Sequence, residues 1–330
     1  MVMTKSQKNS GPLLLVPDDL SAEVTDDDRR RFFQIVSTDL TPDQVQRIVT
    51  PPQSYGKEKS VLAVHWHPEF IPLDLVSQRI EALFPNRVND LIIPTQHNVL
   101  MNFGGYAGVE VDCYSRGFNQ KVQLLVHFED ERVADAPVFR SILAHTFKYR
   151  SSQLLEFIHT ITEPKAEWIE TAARETGADG AVIQFVQMNV RKIETLLERH
   201  GDEIPVASIK NKLLRNYFDT LRETYGDGLI ERVQTYLRAV KMIVKAHFPF
   251  KYFYRTSDVI AEARSIGGGV VIPHPEQFWP ILLADYDVDG YEIWNPESRR
   301  YTEFLITVLH EKNKQRRAGK PELLLFMGDD

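Results

Sequence analysis

The sequence predicts an α/β fold built on a largely parallel sheet or barrel, with a large helical segment in its middle. Short apolar runs at residues 61–64, 91–93 and 122–126 have the length and texture of strands buried on both faces. Residues 73–84, between the first two runs, carry apolar side chains at helical spacing, and strand alternating with helix marks a βα repeat. The same texture returns from about residue 255 to the end, after a stretch whose apolar residues recur only every three or four positions.

Composition narrows the class. Of 330 residues, 43% are hydrophobic and 26% charged, which is the balance of a folded domain and not of a disordered chain. Lys and Arg total 39 against 46 Asp and Glu. The resulting net charge of −7 argues against a wide groove for long duplex nucleic acid. Cys113 is the only cysteine, so no disulfide closes within the chain and cysteine-based metal sites are excluded. No apolar stretch reaches the roughly 18 residues of a membrane-spanning helix. The first residues are polar, with Lys5 and Lys8, and the apolar run 12–16 is too short for a secretory signal. A reducing, cytoplasmic setting is expected.

Residues 1–60 read as an N-terminal helical extension. Asp26-Asp27-Asp28 before Arg29-Arg30-Arg31 places acids at the positive end of a helix dipole. Thr41-Pro42-Asp43-Gln44 is a capping-box pattern with proline at the first helical position. The run from Pro51 to Gly56 breaks the chain. Residues of about 131–250 are the helical segment. Val182, Val186, Val190, Ile193 and Leu197 repeat at helical spacing, with Gly201 as C-cap; Ile209, Leu213, Tyr217 and Leu221 follow, then Ile230, Val233, Leu237, Val240 and Val244. This segment offers a surface for a protein partner. From residue 255, a helix near 257–264 leads to the apolar run 270–272. A strand near 288–295, a helix to about residue 312 and the run 323–326 come after it.

The histidines carry the chemistry. His65 and His67 follow the first strand and, two apart, point the same way. His97 comes just after the second strand, His127 ends the third, and His274 follows the 270–272 strand between Pro273 and Pro275. A parallel barrel gathers its strand C-termini at one mouth, so imidazoles at four strand ends point to a shared metal centre. Glu110, Asp329 and Asp330 add carboxylates, which bridge neighbouring cations and lower the repulsion between them. Such a cluster suits phosphate-ester hydrolysis, because the metals make hydroxide available near neutral pH and neutralise phosphoryl oxygens.

On these motifs the sequence resembles the polymerase and histidinol phosphatase (PHP) superfamily. His65 and His67 match its opening His-x-His, and Thr95-Gln96-His97-Asn98 is similar to its Thr-Asp-His-Asn. Gly108-Val109-Glu110 looks like its Pro-Gly-x-Glu element, and His127 like its strand-terminal His. Residues 261–275 resemble its helix, Gly-Gly, strand and Ala-His-Pro run; residues 288–295 resemble the next strand, and Gly328-Asp329-Asp330 the start of Gly-Ser-Asp-x-His. The resemblance covers residues 61–130 and 255–330. It implies a distorted (β/α)7 TIM-like barrel over residues 61–330, with two or three divalent ions (zinc, manganese or iron) held by His65, His67, His97, Glu110, His127, His274 and Asp330. It also implies attack of a metal-bound hydroxide on phosphorus in a small phosphorylated metabolite or nucleotide.

The sequence departs from that pattern in four places. Gln96 stands where the family has Asp, and Pro273 where Ala is common. A further ligand expected soon after His67 has only Glu69 and Asp74 nearby, neither at the usual spacing. The final His of the last motif would fall two residues past Asp330, and the abrupt end leads us to expect a longer native chain. Arg299 and Arg300, after the 288–295 strand, are candidate phosphate clamps. Glu292 is expected to hydrogen-bond at the rim and not to ligate. Two rival readings are a metal-dependent amidohydrolase, for which no strand-end lysine stands out, and a degenerate barrel serving as a binding module.

Overall fold

The computed structural model describes residues 21–316 and 319–328. The chain is mixed α/β and divides into two units. The described residues up to Ser37, with Ser151–Phe248, form a helical unit; Thr38–Arg150 and the chain from Pro249 form a second unit that holds every described strand.

In the helical unit the predicted periodicities become real faces. Helix Gly180–His200 buries Val182, Val186, Val190 and Ile193, and helix Asp227–His247 buries Ile230, Val233, Leu237, Val240 and Val244, all in one core. Lys212–Asp219 adds Leu213 and Tyr217 to it. Gly201 is the C-cap of the first of these, as expected, in a right-handed conformation with φ −52. Helix Asp26–Val36 opens with a capping box in which Asp28 N–H donates to Thr25 Oγ1 and the Asp28 carboxylate accepts from Thr25 N–H. Its Phe32 and Val36, one helical turn apart, are buried in that same core. The expected 1–60 extension is therefore shared out, because helix Pro42–Val49 lies in the other unit. The helical segment does begin near residue 131, with helices Asp130–Val133 and Pro137–Tyr149, but its first part belongs to the strand unit: Phe139, Ile142 and Leu143 pack there with Val259, Ile260 and Ala263.

The strand unit contains β1 (Ser60–Ala63), β2 (Asn89–Ile92), β3 (Met101–Phe103), β4 (Tyr106–Ser115), β5 (Gln120–Glu129), β6 (Gly269–Ile272), β7 (Gly290–Trp294) and β8 (Leu324–Met327). β1 and β2 pair in parallel around helix Leu73–Leu83, as a βα repeat requires. The other six form one sheet in sequence order. Here the largely parallel expectation is corrected. β3–β4, β4–β5 and β5–β6 are antiparallel, and only β6–β7 and β7–β8 are parallel. The 122–126 run belongs to a ten-residue hairpin strand, and its neighbour β4 is reached through a turn at 116–119, far too short for a parallel crossover. Gly104 (φ 62) and Gly105 (φ 85) make the preceding turn, where two successive positive φ values favour glycine. Among the described residues the two sheets do not form a closed barrel.

β4 is the strand that orders the site. Ala107, Val109, Val111 and Cys113 face the core, which leaves Gly108, Glu110 and Asp112 on the opposite face. The segment after β2 runs beside it in parallel: Asn98 N–H donates to the Glu110 carbonyl at 2.8 Å, and Glu110 N–H to the Gln96 carbonyl at 3.2 Å. This apposition needs Gly108, since a Cβ there would fall on the Pro94 carbonyl oxygen and Ile93 Cγ2. Gly108→Ala is expected to destabilise the fold by about 1–3 kcal/mol, the usual cost of overpacking. A thermal midpoint equal to that of the wild type would refute the close approach.

Candidate metal centre

The first two histidines leave β1 with a buried spacer between them. Thr95 holds that spacer: its hydroxyl donates to the Trp66 carbonyl and accepts from Trp66 N–H, while Thr95 N–H donates to the same carbonyl at 3.1 Å. The motif after β2 thus fixes the backbone between His65 and His67. Beyond His97 the chain turns through Asn98, a non-glycine residue at φ 56. Asn98 is locked there by Asp112, whose N–H donates to its side-chain oxygen at 2.8 Å and whose carboxylate accepts from its amide at 3.0 Å. Lys121 Nζ closes the group, 2.8 Å from the Asp112 carboxylate.

Two three-residue groups result, and both use Glu110. One joins His65, Glu110 and His274; the other joins His67, His97 and Glu110. Glu110 Oε1 lies 3.9 Å from His65 Nε2 and 3.1 Å from His274 Nε2. Its Oε2 lies 3.7 Å from His67 Nε2 and 2.8 Å from His97 Nε2. Bond lengths of about 2.1 Å in a tetrahedral site put ligand atoms about 3.4 Å apart, so these separations bracket what one cation per group demands. His65 Nε2 is buried and has no hydrogen-bond partner among the described residues. An orphaned imidazole nitrogen facing a carboxylate fits a cation between them.

Two further carboxylates hold the imidazoles from behind. Glu292 accepts from His65 Nδ1 at 2.7 Å, from His274 N–H at 2.7 Å and from the Asn295 amide at 3.2 Å. Both its oxygens are thus engaged by protein donors, and it turns the His65 Nε2 lone pair toward Glu110. The bond to His274 N–H also pins that residue at φ 29, a conformation non-glycine residues rarely take. Glu69 does the same on the other side, 2.6 Å from His97 Nδ1 and 3.6 Å from His67 Nδ1. His67 and His97 stack at 4.3 Å. Replacing Glu292 with Gln is expected to weaken metal binding 10- to 100-fold, the usual effect of losing an orienting carboxylate, with secondary structure unchanged. Isothermal titration with zinc or manganese checks this, and an unaltered affinity would remove Glu292 from the site.

Electrostatics agree with the geometry. Burial alone would raise the Glu110 carboxyl, but the surrounding imidazoles, His97 foremost, hold it well below the usual carboxylate range. Glu69 behaves alike: burial opposes its charge, and the hydrogen bonds from His67 and His97 outweigh burial. For His97, burial disfavours the cation, yet the Glu110 charge raises its pKa.

The remaining candidates are outside these two groups. His127 Nε2 donates to the Val64 carbonyl at 2.9 Å, and burial pushes its pKa down to about 4. It is therefore neutral, with Nδ1 carrying the lone pair, and it belongs to neither three-residue group. Arg299 and Arg300 are exposed on the turn after β7, and the Arg300 guanidinium rests 4.6 Å from the Tyr301 ring. Asp330, like Asp329, lies outside the described residues. Asp289, just before β7, is a structural anchor that binds Arg264 and accepts from Val270 N–H. Glu69, set aside in the sequence for its spacing, enters the site as an orienting group, two residues beyond His67 on the turn that leads into helix Leu73–Leu83.

No family model matches the chain, and no curated protein matches it. Among solved structures it is similar to a "putative metal-dependent phosphoesterase" from Bifidobacterium adolescentis, at 17% identity and a TM-score of 0.37, over 83% of this chain and 88% of that one. Agreement of that extent leaves the chemistry to be read from the side chains themselves.

Proposed function

We propose that the chain is a divalent-metal-dependent hydrolase of phosphate esters, of the PHP type. The observation that carries this reading is the pair of imidazole groups sharing one buried carboxylate, Glu110. Imidazole and carboxylate donors suit zinc, manganese or iron. His65 and His274 would hold one ion and His67 and His97 a second, with Glu110 common to both. His127, through Nδ1, and Asp330 are proposed as further ligands. Bound ions in such a pair supply a hydroxide near neutral pH and neutralise phosphoryl oxygens.

The chain's own residues do the rest. Glu110 spreads one negative charge between two cation positions and so lowers the repulsion between them. Glu69 and Glu292 fix the imidazoles, so little reorganisation is needed when a ligand arrives. A small phosphorylated metabolite or nucleotide is the proposed substrate, and Arg299 and Arg300 the proposed contacts to its phosphate. The position common to the two groups is a carboxylate, Glu110, which favours this reading over an amidohydrolase.

The test is elemental analysis of the purified protein, joined to p-nitrophenyl phosphate turnover with added manganese. About two metals per chain are expected, with turnover reduced by at least about 100-fold in His67→Ala. Neither metal nor turnover in the wild type would leave a binding module as the better account.

A further inference from the structure

The helical unit carries a feature that the metal centre does not use. On helix Asp227–His247, Arg238, Lys241 and Lys245 sit at i, i+3 and i+7, one continuous stripe about 10 Å long. Helix Lys212–Asp219 packs against it, with the Gln234 side chain donating to the Arg215 carbonyl, and brings Lys212 and Arg215 alongside. Like charges at these spacings repel. The cost is felt at Lys241: partial burial, then Lys245, Arg215, Arg238 and Lys212, lower its pKa. Among the described residues, Lys212, Arg215, Arg238 and Lys241 have no ion pair, and the acid two turns up the same stripe, Glu231, is taken by Arg222. The helix has no acidic residue after Glu231.

Met242 decides what such a patch would bind. It lies one turn beyond Arg238 and one before its own turn ends at Lys245, and it is 58% exposed. An exposed, flexible thioether at the edge of a cationic stripe matches an acidic segment with an apolar anchor residue. A nucleic-acid strand would ask for exposed aromatic platforms between the cations. None of the exposed large hydrophobics on these two helices is aromatic.

We propose that Lys212, Arg215, Arg238, Lys241 and Lys245, flanked by Met242, form a docking surface for an acidic peptide segment of a partner protein. Complementary charge relieves the repulsion within the stripe and steers encounter with a chain whose net charge, −7, otherwise repels acidic partners. Met242 supplies the apolar contact that turns attraction into a seated complex.

The experiment uses the full chain and two labelled probes, read by fluorescence anisotropy at low and at physiological salt. One is a twelve-residue peptide of Glu with Leu at every fourth position; the other is a uridine oligonucleotide of equal charge. The peptide is expected to bind, more weakly as salt rises. Arg238→Glu with Lys241→Glu should reduce its affinity at least tenfold, and Met242→Ser about threefold, with unchanged circular dichroism. Because the substituted side chains are solvent-facing or half-buried, Lys241→Gln alone serves as a milder variant and should give an intermediate loss. Absence of peptide binding, equal binding by the charge-reversed protein, or tighter binding of the oligonucleotide overturns the proposal.

Discussion

Glu110→Gln is expected to empty both metal positions at once, leaving less than one metal per chain and lowering phosphate-ester turnover by about three orders of magnitude or more. The size of the effect follows from Glu110's place. It is the one residue common to both donor groups, it is 1% exposed, and each of its oxygens faces two imidazole nitrogens. A glutamine keeps the shape but offers one neutral oxygen, and its amide would point donors at nitrogens that need a cation. His67→Ala removes a donor from only one group, so it should cost one metal and not two. Inductively coupled plasma analysis of both variants separates the cases. Loss of a single metal in Glu110→Gln would show that the carboxylate is not shared.

Asp28→Ala is expected to destabilise the helical unit by about 2–4 kcal/mol, which lowers the melting midpoint by roughly 5 °C or more. Asp28 is 6% exposed, yet it accepts from four donors on three residues. It accepts from Thr25 N–H and Thr25 Oγ1 at the helix start, from Lys192 Nζ at 2.9 Å and from the Tyr217 hydroxyl at 2.8 Å. Removing it uncaps the helix and leaves a half-buried ammonium and a buried phenol without their acceptor. The pH dependence has a definite sign. Burial would raise this carboxyl, but the Lys192, Thr25 and Tyr217 bonds together hold it below the ordinary value of 3.8. A carboxylate lowered in the folded state adds stability that is fully present above the unfolded pKa and is lost as pH falls through the folded one. Wild-type stability should therefore drop below pH about 4, and Asp28→Asn, which keeps neutral hydrogen bonding, should drop less. Denaturant melts at pH 7 and pH 3 check both statements, and parallel pH profiles for the two proteins would sink the second.

The way these two residues read in the sequence differs. Asp28 appears there only as one of three acids at a helix start, because its partners Lys192 and Tyr217 lie more than 160 residues away. Glu110 appears as a carboxylate after glycines, and its chemistry is suggested by motif resemblance, not by local pattern. Glu69 was visible as an acid near a histidine and Glu292 as an acid at a strand end, but whether an acid ligates or orients depends on which imidazole nitrogen it meets. That is set by side-chain geometry and not by spacing.

The sequence by itself determined the local structure: apolar runs that become β1, β2 and β6, helical stripes that become the core of the helical unit, and histidines stationed just past strand ends. These are short-range properties, fixed by side-chain alternation, apolar period and turn chemistry. Tertiary structure decided the pairings. It made β4 and β5 an antiparallel hairpin where parallel strands were expected, and it set Asp26–Val36 into the core of residues 151–248. It left His127 bonded to a backbone carbonyl and placed one carboxylate between four imidazoles. Each of these depends on which distant segments exclude water together, and burial of that kind is non-directional, so no local pattern encodes it.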